Sequence, residues 1–135
     1  MIPNVESEAY KRANIKWLVL IKNNGRVVEG ATLTVGPSGV FVSCAQPLKL
    51  NETCEVRIKV KEGNEPVHAI GEVVWSNIHG QDDYYTPRGM GIKFTQLADK
   101  DRELISAEVA RQLQRKGTRS AGENNGGIAL ARDAA

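Results

Sequence analysis

The stretch Cys54-Glu55-Val56-Arg57-Ile58-Lys59-Val60-Lys61 alternates strictly, with apolar residues at the even positions and charged residues at the odd ones. In an extended strand, neighbouring side chains point to opposite faces, so this period of two places one face on a core and the other in water. The pattern therefore predicts a β-strand in an antiparallel sheet that is covered on one face.

Short apolar runs of the same kind lie on both sides of this strand and are separated by turn-forming residues. Upstream, residues 17–21 form a continuous apolar run, and the following Asn23-Asn24-Gly25 favours a type I′ turn into an antiparallel strand over residues 26–35. Three more strands are predicted over residues 40–43, 67–76 and 89–94. Regularly spaced short strands predict an all-β sandwich or barrel, here extending over about residues 15–94.

The hydrophobic period changes after the last predicted strand. The apolar residues recur at steps of three and four positions, which indicates one helix with a single apolar stripe: Leu97, Leu104, Ile105, Val109 and Leu113. We predict this C-terminal helix over about residues 99–116, with Gly117 as its C-terminal cap. Residues 117–135 contain few large apolar side chains and are expected to form a flexible tail.

Composition and charge limit the class of protein. A chain of 135 residues with 41% hydrophobic and 25% charged residues is typical of one globular domain. Its net charge of +2 is too small for a non-specific DNA- or RNA-binding protein. Residues 1–9 read as an N-terminal extension with two acids and no apolar segment of a signal peptide, and no stretch resembles a membrane-spanning helix. We therefore expect a cytoplasmic protein.

Enzymatic and metal-binding signatures are missing from the sequence. It contains no Cys-x-x-Cys, His-Glu-x-x-His, Walker loop or Gly-x-Ser-x-Gly motif. His68 and His79 have no liganding neighbour at helix or hairpin spacing, so we expect no metal site. Cys44 and Cys54 are expected to be buried thiols. The prediction is a protein that is not an enzyme and carries no catalytic residue or cofactor.

A cluster of basic residues precedes the first predicted strand. Arg12 and Lys16 stand four residues apart, and Lys11 adds a third positive charge. The planar guanidinium of Arg12 suits a phosphate group or the O6 and N7 edge of guanine. From the residues alone, a solvated basic arm is an equally good interpretation.

Together with the C-terminal half, these residues give the chain a family resemblance. Residues 10–113 resemble the bacterial PilZ domain, which is associated with cyclic di-GMP signalling. The most specific portion is Gly71-Glu-Val-Val-Trp75, then a polar loop, then Gly89-Met-Gly-Ile-Lys-Phe94 with Leu97, Asp101 and Leu104. The resemblance implies a six-stranded antiparallel β-barrel with a C-terminal helix, formed by residues 10–116.

The resemblance also implies a ligand site with two parts, both of them altered here. The family grips cyclic di-GMP with an Arg-x-x-x-Arg arm, which reads Arg12-Ala-Asn-Ile-Lys16 in this chain. The family's Asp/Asn-x-Ser-x-x-Gly turn reads Thr34-Val-Gly36-Pro-Ser-Gly39. Lysine lacks the bidentate fork of arginine, and threonine offers a shorter contact than a carboxylate or amide. The implied ligand-binding residues are Lys11, Arg12, Lys16, Thr34, Gly36, Ser38 and Gly39.

Two functions are consistent with these expectations. In the first, the protein binds cyclic di-GMP, the arm becomes ordered over the ligand, and the signal passes to a protein partner in motility or surface behaviour. In the second, a PilZ-like adaptor binds no nucleotide and acts only through protein–protein contacts, for which Tyr84 and Tyr85 in the polar loop are candidate anchors.

Overall fold

The structure, a computed structural model, describes residues 11–60, 65–83 and 87–123, with side chains up to residue 115. In order along the chain, the elements are β1 (Leu18–Asn23), β2 (Arg26–Gly36), β3 (Gly39–Ser43), β4 (Thr53–Lys59), β5 (Val67–Asn77), β6 (Gly89–Leu97) and a helix, α1 (Asp99–Glu123). The predicted strands are confirmed, each with slightly different ends.

The six strands form a closed antiparallel barrel in the order β1-β2-β3-β6-β5-β4. The pairing of β1 with β4, in which Val19 lies opposite Ile58, closes the barrel and leaves none of these strands with an open edge. The alternation that predicted β4 is seen in its burial: Cys54, Val56 and Ile58 are buried, and the charged residues between them are exposed. The all-β barrel with a C-terminal helix is therefore confirmed.

The hairpin between β1 and β2 is the predicted type I′ turn. Asn24 has a φ of 50° and Gly25 a φ of 81°, and both positions of such a turn require positive φ. Asn23 pairs with Arg26, so the loop contains two residues and fixes the register of both strands. The turn chemistry therefore places β2 beside β1 before any tertiary contact is considered.

The helix packs against the barrel with the apolar face that its period predicted. Ile105 and Val109 are buried, and Leu104 and Leu113 are partly buried against the same core. Leu97 was wrongly included in this helical stripe, because it ends β6 and pairs with Ala69 of β5. Strand pairing through the last residues of β6 overrides the helical spacing there.

The predicted end of the helix was also wrong. Helix α1 continues through Gly117 to Glu123, seven residues beyond the predicted end at residue 116. The domain boundary at residue 116 and the flexible tail over residues 117–135 stay predictions. A glycine inside a helix costs only about 1 kcal/mol relative to alanine, and it ends a helix only where it adopts the left-handed conformation. The extension at residues 1–9 and the remaining tail residues, 124–135, lie outside the described residues. In the part of the chain that is described, no helix is long and apolar enough to cross a membrane.

Candidate functional site

The arm, residues 11–17, lies along the outer half of β2. The backbone N–H of Ala13 donates to the Val35 carbonyl and that of Val35 to the Ala13 carbonyl, both at 2.9 Å. Nearer β1, the Thr32 N–H donates to the Trp17 carbonyl at 2.9 Å. The arm therefore extends the antiparallel path of β1 along β2, which carries its basic residues toward the far end of that strand.

A buried threonine fixes the middle of the arm. Thr32 is only 1% exposed, and its hydroxyl accepts a hydrogen bond from the Trp17 N–H at 2.8 Å and donates one to the Ile15 carbonyl at 2.6 Å. Sequence reasoning missed this residue. A signal was present, since Thr32 occupies an inward position of β2, and a buried hydroxyl requires hydrogen-bond partners.

The turn, residues 36–39, joins β2 to β3 and is contacted by three parts of the chain. The Pro37 carbonyl accepts from Nη1 of Arg102 in α1 at 2.7 Å, and the Ser38 carbonyl accepts from the Phe94 N–H at 2.9 Å. The Gly39 carbonyl accepts from Nη2 of Arg12 at 3.4 Å. The turn is therefore where the arm, β6 and α1 meet.

Both glycines of the turn permit close backbone approach. A Cβ at Gly36 would lie 2.7 Å from the Lys11 carbonyl oxygen and 3.3 Å from Cγ of Arg12. A Cβ at Gly39 would overlap the Ile92 carbonyl oxygen of β6. Gly36 therefore lets the arm lie on the turn, while Gly39 lets β3 pair closely with β6.

The structure brings together most of the residues that the sequence singled out, with one exception. Lys11, Arg12, Gly36 and Gly39 are in contact, and Ser38 lies partly buried within the turn. Lys16, in contrast, lines a separate cavity of about 420 Å³ near the middle of β2. The other residues that line this cavity are Asn14, Ile15, Ala31, Thr32, Leu33 and Ser43.

Positive charge surrounds the turn. Partial burial against the turn lowers the pKa of Arg12 from its ordinary value, although an arginine remains charged at neutral pH. Lys93 of β6 is the register partner of Gly39, so a further exposed cation adjoins the turn on the side opposite the arm. These groups provide donors and charge for an anionic ligand.

An aromatic pair on the same outer face was not identified from the sequence. The rings of Phe41 and Trp75 lie 5.1 Å apart at an interplanar angle of 46°. Gly91 of β6 pairs with both residues and lies between them. Phe41 also pairs with Thr34, which places this aromatic surface on the barrel face that carries Gly36 and Gly39.

The loop between β5 and β6 is organised by buried Asn77. Its Nδ2 donates to the carbonyls of Gln81 at 2.7 Å and Pro87 at 3.1 Å, and the side chain of Arg88 donates to the Ile78 carbonyl at 2.7 Å. The loop therefore leaves and rejoins the barrel at fixed points. Tyr84 and Tyr85 lie outside the described residues, so their role as partner-binding residues stays a prediction.

Comparisons with known proteins agree with this architecture. Among solved structures, the Bacillus subtilis inhibitor of motility (MotI/DgrA) matches with a TM-score of 0.66 and 17% sequence identity. The match covers 79% of this chain and 51% of that one, so the chain spans about half the length of that protein and shares its fold. No curated protein matches. The model of the PilZ domain family matches residues 6–111, which include the arm, the turn and the first half of α1. The chain therefore belongs to the PilZ domain family.

Proposed function

We propose that this chain is a PilZ signalling module of the bacterial cytoplasm that binds cyclic di-GMP with the arm and the turn and relays the signal to a protein partner. One observation carries this proposal: Arg12 lies over the turn, on the barrel face that also presents the aromatic pair Phe41 and Trp75. A cation and an exposed aromatic surface beside a glycine-containing turn suit the phosphates and bases of a cyclic dinucleotide. The dinucleotide acts as a regulator and is not a substrate.

The phosphates and a guanine base of the ligand each have a suitable group on this face. Arg12 and Lys93 supply positive charge for the phosphates. Trp75 is 41% exposed and presents an aromatic surface on which a guanine base can stack, a contact typically worth about 1–3 kcal/mol per base. Thr34 offers a single hydroxyl where the family's motif has a carboxylate or amide, so we expect weaker binding than the unaltered motif would give.

Binding requires movement of a side chain rather than folding of the whole arm. The backbone from Ala13 to Trp17 is already held on β2 by its own hydrogen bonds. The bond from Arg12 to the Gly39 carbonyl is long, at 3.4 Å, and is therefore weak. We expect Arg12 to exchange this carbonyl for a phosphate of the ligand, which limits the ordering step to the start of the arm.

Calorimetric titration with cyclic di-GMP tests the proposal. Saturable binding is expected, with a loss of at least tenfold in affinity for Arg12→Ala, which corresponds to about 1.4 kcal/mol. Arg57→Ala is the matched control, because Arg57 is an exposed arginine on β4, a strand that is not part of the site. In a Trp17→Phe background, Trp75 is the only tryptophan, and its fluorescence should change on binding. Absence of heat and of any fluorescence change at high micromolar ligand contradicts the proposal.

A second candidate function, the adaptor that binds no nucleotide, is favoured by a different surface. On the outer face of β1, Leu18 is 63% exposed and Leu20 is 37% exposed, and both line a cavity of about 410 Å³. For the adaptor we expect a partner that is retained equally with and without cyclic di-GMP and is lost on Leu18→Asp or Tyr84→Ala. Retention that depends on the ligand and on Arg12 supports the first function instead.

A further inference from the structure

We propose that Arg102 of α1 is a positioning residue of the dinucleotide site: it holds the turn in its binding shape and couples the site to the C-terminal helix. This inference rests on the proposed function and extends it to an element that the family's two motifs do not include. Its basis is the bond of 2.7 Å from Nη1 of Arg102 to the Pro37 carbonyl, which joins residues 65 positions apart in the chain. A charged donor at this distance makes a strong hydrogen bond.

The position of Arg102 is determined by the packing of the helix. Ile105 and Val109 follow it by three and seven residues, so all three lie on the face of α1 that meets the barrel. The Arg102 N–H donates to the Ala98 carbonyl at 2.9 Å in the first turn of the helix. Any shift of this end of α1 therefore moves the guanidinium that donates to the Pro37 carbonyl.

Two arginines from opposite ends of the domain contact the same short turn. Arg102 binds the Pro37 carbonyl, and Arg12 binds the Gly39 carbonyl two residues later. Between them, the Ser38 carbonyl is fixed by the backbone of Phe94. Pro37 and Ser38 are the two residues between the paired Gly36 and Gly39, so release of the Pro37 carbonyl frees the backbone at the tip of the turn. The geometry at which Arg12 meets the ligand therefore depends on Arg102.

Thermodynamic linkage makes this coupling reciprocal. If Arg102 transmits the state of the turn, ligand binding must change the stability of the first turns of α1. The factor by which the ligand changes the affinity of a partner for α1 must then equal the factor by which that partner changes the affinity for the ligand. On this proposal, a partner that binds α1 can respond to the ligand.

The test compares three variants by titration with cyclic di-GMP and by amide hydrogen exchange. Arg102→Ala should weaken binding at least fivefold, and Arg102→Lys, which keeps the charge, should recover part of this loss. Arg111→Ala is the matched control, because Arg111 is an exposed arginine of the same helix that bonds Glu108 at 3.1 Å. In the wild-type protein and in Arg111→Ala, the ligand should slow exchange in the first turns of α1. In Arg102→Ala this protection should be lost even at saturating ligand.

The outcomes separate this inference from the proposed function. Equal affinities and equal helix protection in Arg102→Ala and Arg111→Ala overturn the positioning role, while binding by the wild-type protein still supports the function. If the wild-type protein binds no cyclic di-GMP, the proposed function is wrong. Amide hydrogen exchange in the free protein then tests whether Arg102 holds the turn. Faster exchange of the Ser38 and Gly39 amides in Arg102→Ala then supports only its role in holding the turn, and unchanged exchange overturns that role as well.

Discussion

At the scale of single residues, one hydroxyl group holds the middle of the arm. Thr32 connects the Trp17 N–H and the Ile15 carbonyl through a side chain that is almost completely buried. Both backbone groups lie beside the barrel wall, where an unpaired donor or acceptor is costly. A residue that no ligand motif includes therefore fixes the backbone on both sides of Lys16, while the Ala13–Val35 pair holds the backbone beside Arg12.

Replacement of Thr32 by valine keeps the shape of the side chain and removes both hydrogen bonds. We expect Thr32→Val to lower the free energy of unfolding by about 1–3 kcal/mol, because two backbone groups lose their partner. Urea unfolding measures this loss, and hydrogen exchange at the Trp17 amide should become faster. Thr32→Ser keeps the hydroxyl and is the control. Equal stability of the valine and serine variants would contradict this role for the hydroxyl.

The altered turn motif gives a second prediction at the residue scale. Gly36→Ser restores the family's serine but places a Cβ 2.7 Å from the Lys11 carbonyl oxygen, so the arm must shift away from the turn. We expect this variant to bind cyclic di-GMP no better than wild type, whereas Thr34→Asp, at a partly buried outer position, should bind more tightly. Calorimetry on both variants tests this, and a gain in affinity from Gly36→Ser alone would show that the arm does not lie on the turn.

At the scale of elements, the order of the strands in the barrel explains why the sequence predicted only part of the site. The period of two predicted the two faces of β4, and the Asn24-Gly25 turn determined the first register. Which strands become neighbours depends on the strand order of the barrel. The pairing of β6 with both β3 and β5 places Trp75 beside Phe41 with only Gly91 between them. The aromatic surface therefore arises from three strands that no local pattern connects.

The length of α1 gives a prediction for this element. Because Gly117 lies inside the helix, Gly117→Ala should raise helix content and stabilise the helix by up to about 1 kcal/mol. Circular dichroism and thermal unfolding measure the change. A glycine that capped the helix in the left-handed conformation would give the opposite result, since alanine is strained there. Destabilisation by this substitution would therefore support the shorter helix that the sequence predicted.

At the scale of the whole molecule, the closed barrel sets the environment of the buried thiols. Cys54 is 3% exposed, and burial, together with the negative charge of Glu52, raises the pKa of its thiol to about 11. Burial also raises the pKa of Cys44, although Arg26 opposes that shift. Both cysteines are free, as the sequence predicted, and both are held in the protonated form at neutral pH.

The raised pKa of Cys54 predicts how global stability depends on pH. Above about pH 9 the unfolded chain loses this proton, whereas the folded chain keeps it until about pH 11, so the free energy of unfolding falls across this range. Urea unfolding of wild type and Cys54→Ala at several pH values isolates the effect from other groups that titrate there. The difference in stability between the two proteins should shrink as pH rises from 9 to 11, and a constant difference would contradict the prediction.

The sequence by itself determined the strands, the first hairpin, the apolar face of the helix and the identity of the basic arm. These features depend on side-chain period and turn chemistry, which residues close together in the chain encode. Only the tertiary structure decided that Arg12 reaches the Gly39 carbonyl across 27 positions, that Arg102 reaches Pro37 across 65, and that Lys16 lies away from the turn. The physical reason is that such contacts depend on strand order, register and barrel closure, which are properties of the assembled core and of no single segment.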